Sequence, residues 1–102
     1  MKLIVSKEAA ADLTRLRDFL MDRNPSAAQR AVAAIANAVR SLDLFPQRGR
    51  QSGAADMREL VVPFGRSAYI VWYAILTEAD EIVILQLWGR DRERGRSTAS
   101  VL

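Results

Sequence analysis

Three short apolar runs, each ended by turn residues, constrain this chain more than any other feature. They are Arg58-Glu59-Leu60-Val61-Val62, Tyr69 through Leu76, and Ile82 through Trp88, the last leading into Gly89-Arg90-Asp91-Arg92. Their apolar residues are largely β-branched or aromatic, which favours a pleated strand over a helix. Pro63-Phe64-Gly65-Arg66 and Thr77-Glu78-Ala79-Asp80-Glu81 then predict two hairpin turns. In the second and third runs both parities are apolar, with Gln86 the interruption, so these are expected to be central strands covered on both faces. Basic residues stand at the ends of the runs rather than inside them, which predicts a sheet with an arginine-rich rim.

The residues before these strands follow a different period. Leu3-Ile4-Val5 predicts a short first strand, ended by Ser6 as a helix cap. From Lys7 to about Arg23 the apolar positions Ala9, Leu13, Leu16 and Leu20, with Phe19 beside them, have helical spacing. Asn24-Pro25 stops that helix and starts another, with Asn as the N-cap and Pro at the first helical position, where its missing N–H is no loss. The second helix is expected to run from Pro25 to about Asp43, with Ala28, Val32, Ile35, Val39 and Leu42 on one face. Gln47 to Ala55, with Gly49 and Gly53, is the one loop long enough to be mobile. The expected fold is α+β in the order β-α-α-β-β-β, a helical hairpin packed on one face of a sheet made by the three later strands and the N-terminal strand. At 102 residues the chain is expected to be a single domain, residues 1–102, with about 93–102 a frayed tail.

Composition narrows the chemistry. There is no Cys and no His, which excludes thiolate nucleophiles, a histidine general base and zinc sites of the usual kind. No cofactor and no metal are expected. No apolar run approaches the roughly 20 residues of a membrane span and no signal peptide is expected, so the expected location is the cytoplasm, with no membrane partner. The net charge is +3. The lysines are Lys2 and Lys7, so Arg48, Arg50, Arg58, Arg66, Arg90, Arg92, Arg94 and Arg96 supply the charge of the second half. Arginine binds phosphate and carboxylate in paired fashion, so the rim suits a nucleic acid or an acidic protein, or it is the solvated surface of an arginine-biased composition.

The order and spacing of several short patterns resemble the bacterial RelE/ParE toxins. The patterns are Ala10-Ala11-Asp12-Leu13, Asn24-Pro25 with Ala27-Ala28, Leu42-Asp43-Leu44-Phe45-Pro46-Gln47-Arg48-Gly49-Arg50, Met57-Arg58-Glu59-Leu60, Tyr69-Ile70-Val71-Trp72-Tyr73, and Ile82 through Arg90. The resemblance covers nearly the whole chain. It implies the toxin of a type II toxin–antitoxin pair, silenced by a cognate antitoxin, and it leaves two activities open. One branch of such toxins poisons DNA gyrase by binding; the other enters the ribosome and cuts messenger RNA. A toxin-like module that only binds an antitoxin is a third reading.

Cleaving RNA through its 2′-OH needs proton transfer and cations around phosphorus. The resemblance places Arg58 and Arg90 where nuclease relatives carry phosphate-binding arginines. Trp88, however, stands where those relatives often carry His, and no Tyr follows Gly89. Glu59 adjoins Arg58, so in a strand the two point to opposite faces. The expected activity is therefore ParE-like inhibition of gyrase, with Trp88, Arg90, Arg92 and Arg94, joined by Arg58, contacting the target. Tyr69 and Tyr73 share a parity and are expected in the core with their hydroxyls at an edge. Trp72, of opposite parity, is expected under the helices. Trp88 is open to either a partner contact or the core. The antitoxin is expected to cross the helical hairpin or to add to a sheet edge.

Overall fold

The computed structural model describes residues 1–91 together with Arg96 and Ser97, with backbone alone for residues 90, 91, 96 and 97. Ordered along the chain are β1 (Lys2–Val5), α1 (Lys7–Arg23), α2 (Pro25–Ser41), β2 (Arg50–Gln51), β3 (Met57–Phe64), β4 (Ser67–Leu76), β5 (Glu81–Asp91) and β6 (Arg96–Ser97). The strands form one six-stranded sheet in the order β1-β5-β4-β3-β2, with β6 also on β5. The expected α+β architecture is present, with two short strands, β2 and β6, beyond those anticipated. β4 and β5 are central, as their two-sided apolar pattern requires.

The local signals at the helix starts act as anticipated. The Ser6 side chain accepts from Ala9 N at 3.0 Å, and Asn24 Oδ1 accepts from Ala27 N at 3.1 Å with Pro25 in the first turn. β1 then pairs with β5 in parallel, Lys2 opposite Glu81 through Val5 opposite Ile84. The β3–β4 hairpin is tighter than the sequence suggested. Pro63 and Phe64 stay in the strand, and Gly65-Arg66 alone makes the turn between the paired Phe64 and Ser67. Gly65 has φ +59° while Arg66 keeps negative φ, which is the glycine-first turn whose twist suits a two-residue hairpin.

The core lies between the helices and one sheet face. It collects Ala9 of α1, Ala31, Ile35 and Ala38 of α2, Leu42, and Leu60, Val62, Tyr69, Val71, Tyr73, Ile82, Ile84 and Leu87 of the sheet. Full burial of one such large side chain is worth about 1.5–3 kcal/mol. The buried stripe of α2 keeps Ala28, Ile35 and Leu42 of the expected face but adds Ala31 and Ala38, whereas Val32 and Val39 are half-buried. Alanines at the contact let the helix backbone approach closely, so the larger valines move to its flank. Phe19 is exposed rather than part of the stripe, with the Arg23 guanidinium 3.7 Å from its ring centroid.

Trp72 corrects the sequence reading. Odd-numbered Tyr69, Val71 and Tyr73 face the helices, so half-buried Trp72 lies on the other face with Ala68, Ile70 and Ala74. Ala68, Ile70 and Ala74 are nonetheless buried, as expected of a strand with apolar residues of both parities.

Candidate functional site

The end of β5 owes its geometry to one extra residue. β4 pairs Tyr73 with Ile84 but Trp72 with Gln86, leaving Leu85 as a bulge. A bulge reverses which parity faces which side. Ile82 and Ile84 point into the core before it and Leu87 after it. Trp88 therefore stands opposite Ile70 on the helix-free face, Gly89 opposite Tyr69, and Arg90 at the register of Ala68. Two side chains from the start of α1 meet the backbone here. Ser6 Oγ donates to Leu85 O at 3.0 Å, and Asp12 Oδ2 accepts from Leu87 N at 3.0 Å. Asp12 also pairs with Arg15 one turn along.

Trp88 is half-buried, and its indole Nε1 is buried with no hydrogen-bond partner. An unpaired buried donor costs about 1–3 kcal/mol. On the helix-free face two rows cross β3, β4 and β5, Glu59, Trp72 and Gln86, then Val61, Ile70 and Trp88; the next register along joins Pro63 and Ala68 to the backbone of Arg90. Val61 is exposed.

Arg58 is elsewhere. It pairs with Tyr73, five positions along β4 from the Ala68 that pairs with Arg90, a separation of about 17 Å at strand rise. Its register is also of the opposite parity. Arg58 Nη1 donates to Gly49 O at 2.6 Å and to Gln47 O at 3.3 Å. The arginine rim is thus divided: Arg48, Arg50 and Arg58 gather at the start of β3, and Arg66 and Arg90 at the far end of the sheet. Arg92 and Arg94 lie outside the described residues, as does nearly all of the segment expected to fray.

Around Arg58 the structure shows a latch that sequence reasoning missed. The Tyr73 hydroxyl donates to Pro46 O at 2.7 Å and accepts from Gly49 N at 2.9 Å. Gly49 is buried so tightly that a Cβ there would lie 2.6 Å from Glu59 O and 2.8 Å from the Tyr73 hydroxyl. Arg50 and Gln51 then pair with Glu59 and Arg58 as β2, and Arg50 bridges Glu59 at 3.6 Å. The loop expected to be mobile is therefore held to the sheet through residues 46–51. The reason is tertiary: a core tyrosine and a strand arginine use its carbonyls and amides as partners.

Burial raises the pKa of both Tyr69 and Tyr73 above the ordinary phenol value. For Tyr73 the Gly49 amide and the charges of Arg58 and Arg48 offset part of that rise. Both phenols are therefore neutral near pH 7 and reluctant to ionise. Glu59 is occupied by Arg50. No group of three or more metal-ligating side chains occurs among the described residues. What the arrangement offers is shape, apolar surface and fixed positive charge.

A second feature absent from the sequence reading is a groove of about 610 Å³ along the outer side of the helical hairpin, lined by Arg17, Asp18, Met21 and Asp22 of α1 and by Gln29 and Val32 of α2. Met21 is exposed there. No helix among the described residues is long and apolar enough to cross a membrane.

Two helices on one face of this sheet, with a basic loop and a basic strand end, are the architecture of the small toxins of toxin–antitoxin pairs. Residues 3–94 match the family of the ParE toxin of the type II toxin–antitoxin system parDE. The chain belongs to this ParE/RelE toxin family, whose members have a cognate antitoxin as partner. It is similar to Toxin RelE1 of Caulobacter vibrioides, 36% identical over 86 residues that cover 84% of this chain and 89% of that one. Toxin RelE3 of the same organism is 39% identical over 71 residues, 70% of this chain and 76% of that one. Among solved structures, a chain of the chromosomal ParDE system from P. aeruginosa superposes with a TM-score of 0.71 at 27% identity, covering 85% of this chain and 92% of that chain.

Proposed function

We infer that this toxin acts by binding and inhibiting DNA gyrase, through a surface built on the end of β5, and that it does so without catalysis. Trp88, Arg90, Arg92 and Arg94 are the target-contacting residues. Arg58, engaged by the loop carbonyls, contributes by holding the Arg48–Arg50 segment in place. The observation that carries this reading is the separation of Arg58 from Arg90. Cutting RNA would call for those two arginines around one phosphate and a nearby group to move protons. Here they are about 17 Å apart by strand rise, and the phenols near them are buried. A binding poison needs neither. The antitoxin fits the outer groove of the helical hairpin, where apolar side chains are ringed by charges of both signs.

The test is a supercoiling assay with purified gyrase, titrating the wild type and the Arg90→Ala/Arg92→Ala double variant. Inhibition by the wild type that is lost in the folded variant supports both the activity and the site. Absence of inhibition by folded wild type would sink the gyrase reading. The names of the Caulobacter relatives, RelE toxins, favour as second reading a ribosome-dependent messenger RNA endonuclease in which Arg58 and Arg90 contact RNA. Cleavage of messenger RNA on purified ribosomes is its assay. A chain silent in both assays and harmless on induction is an antitoxin-binding module alone.

A further inference from the structure

We propose that Asp12 is a positioning residue for the target-facing end of β5: with the Ser6 hydroxyl, its carboxylate clamps the Leu85 bulge and so decides which face of the sheet carries Trp88. The proposal rests on the reading that the end of β5 contacts the target, and it adds to that reading the device that aims the surface.

The bulge is not of the glycine type. Bulges often use glycine at the extra position, yet Leu85 and Gln86 are ordinary residues with no positive φ. β1 stops pairing at Val5 opposite Ile84, and Ser6 N donates the last backbone bond of that edge to Ile84 O at 3.0 Å. Immediately beyond, the chain turns into α1, so no β1 residue remains to meet Leu85 O and Leu87 N. Side chains take over. Ser6 Oγ donates to Leu85 O and Asp12 Oδ2 accepts from Leu87 N, each at 3.0 Å. The two bonds flank Gln86, one on the carbonyl of the inserted residue and the other on the amide two positions on.

Asp12 is poorly suited to its own helix. It lies past the first turn of α1, where the N-terminal dipole no longer favours a carboxylate and Asp has low helical propensity. Its side chain is mostly buried, at 16% exposure, and Arg15 holds its other oxygen. A charged acceptor kept in that position and aimed at one strand amide is explained by the strand rather than by the helix.

Removing the bulge by a one-residue slip shows what the clamp protects. From the Tyr73–Ile84 pair, uninterrupted register would place Leu85 opposite Trp72, Gln86 opposite Val71, Leu87 opposite Ile70 and Trp88 opposite Tyr69. Val71 and Tyr69 face the helices. The slip would bury the Gln86 amide in the core, expel Leu87 from it and turn Trp88 away from the helix-free face. The bulge gives the opposite arrangement, with Leu87 at 5% exposure in the core.

The experiment uses the full chain carrying Trp72→Phe, so that Trp88 is the sole indole, and compares Asp12→Ala with Asp12→Asn. Asparagine keeps an oxygen that accepts from Leu87 N; alanine does not. Expected for Asp12→Ala are a changed Trp88 emission and quenching, faster amide exchange at Leu87 by about tenfold, the scale of one charge-assisted hydrogen bond, unchanged helical circular dichroism, and weaker growth arrest on induction. Asp12→Asn should restore all of these to within about threefold. Unchanged Trp88 emission and Leu87 exchange in Asp12→Ala overturn the proposal, as do equal effects of the two variants. Released Trp88 with undiminished growth arrest overturns the positioning role. Should Asp12→Ala not fold, Asp12→Glu replaces it: this keeps the charge but displaces the acceptor by one methylene, and unchanged Leu87 exchange there is equally fatal. Fluorescence and exchange involve no target, so a wild type that leaves gyrase untouched refutes the gyrase reading without touching the clamp.

Discussion

Replacing Tyr73 by Phe removes one oxygen and nothing else, from a side chain with no solvent exposure. That oxygen serves two backbone groups, accepting from Gly49 N at 2.9 Å and donating to Pro46 O at 2.7 Å. Pro46 is half-buried, so its carbonyl recovers a bond to water. Gly49 is buried against the Glu59 backbone and its amide does not. One stranded donor plus one exchanged bond amounts to about 2 kcal/mol. In a domain of this size about 2 kcal/mol lowers Tm by roughly 8–16 °C. It also moves a urea midpoint by about 1–2 M with an unchanged slope, because the buried surface is the same. Paired thermal and urea melts of wild type and Tyr73→Phe measure this directly, and amide exchange at Gly49 locates it. A loss below about 0.5 kcal/mol, less than a typical single hydrogen bond, would refute the claim that this hydroxyl holds the loop; Arg58 would then be its principal anchor.

Two further outcomes are expected. Tyr69 and Tyr73 both have pKa values raised by burial above the ordinary phenol value of 10.0, so above that pH the unfolded chain loses protons that the folded chain retains. Their contribution to stability is complete below pH 10 and is lost as pH rises through the folded-state values; urea melts at pH 9 and pH 11, about one unit either side of the phenol value, should show the loss, with a smaller drop in Tyr73→Phe. Trp88→Phe removes an unpaired buried donor along with part of a ring, two opposed effects of similar size, so stability should stay within about 1 kcal/mol of wild type while growth arrest on induction weakens; a large stability loss would mean that Trp88 serves the core more than a partner surface.

The helical half of the molecule is legible because its signals are local. Ser6, Asn24 and Pro25 act within three residues of where they stand, and α1 has the bounds its periodicity implies. The β4 and β5 patterns likewise identify central strands. What lay hidden depends on contacts distant in sequence. Tyr73 reaches Pro46 across 27 residues and Asp12 reaches Leu87 across 75. Neither bond leaves a mark on hydrophobic periodicity. Trp72 was misplaced for a related reason: with both parities apolar, a strand does not declare which face the helices take, and here the tyrosines took it. The candidate site was half legible. The arginines were visible as a set, but whether they meet depends on register and on the Leu85 bulge, which only the folded sheet reveals.

The parallel pairing of β1 with β5 sets the timing of folding during synthesis. Residues 2–5 emerge from the ribosome well before their partners, residues 81–84. α1 and α2 leave with no sheet beneath them, and the β3–β4 hairpin follows before β5, the strand that joins β1 to it. Long-range pairing of this kind is slow to form. The surface at the end of β5 is completed only after β5 itself has been made, so a nascent chain cut short before it carries both helices and nine arginines without the sheet that arranges them.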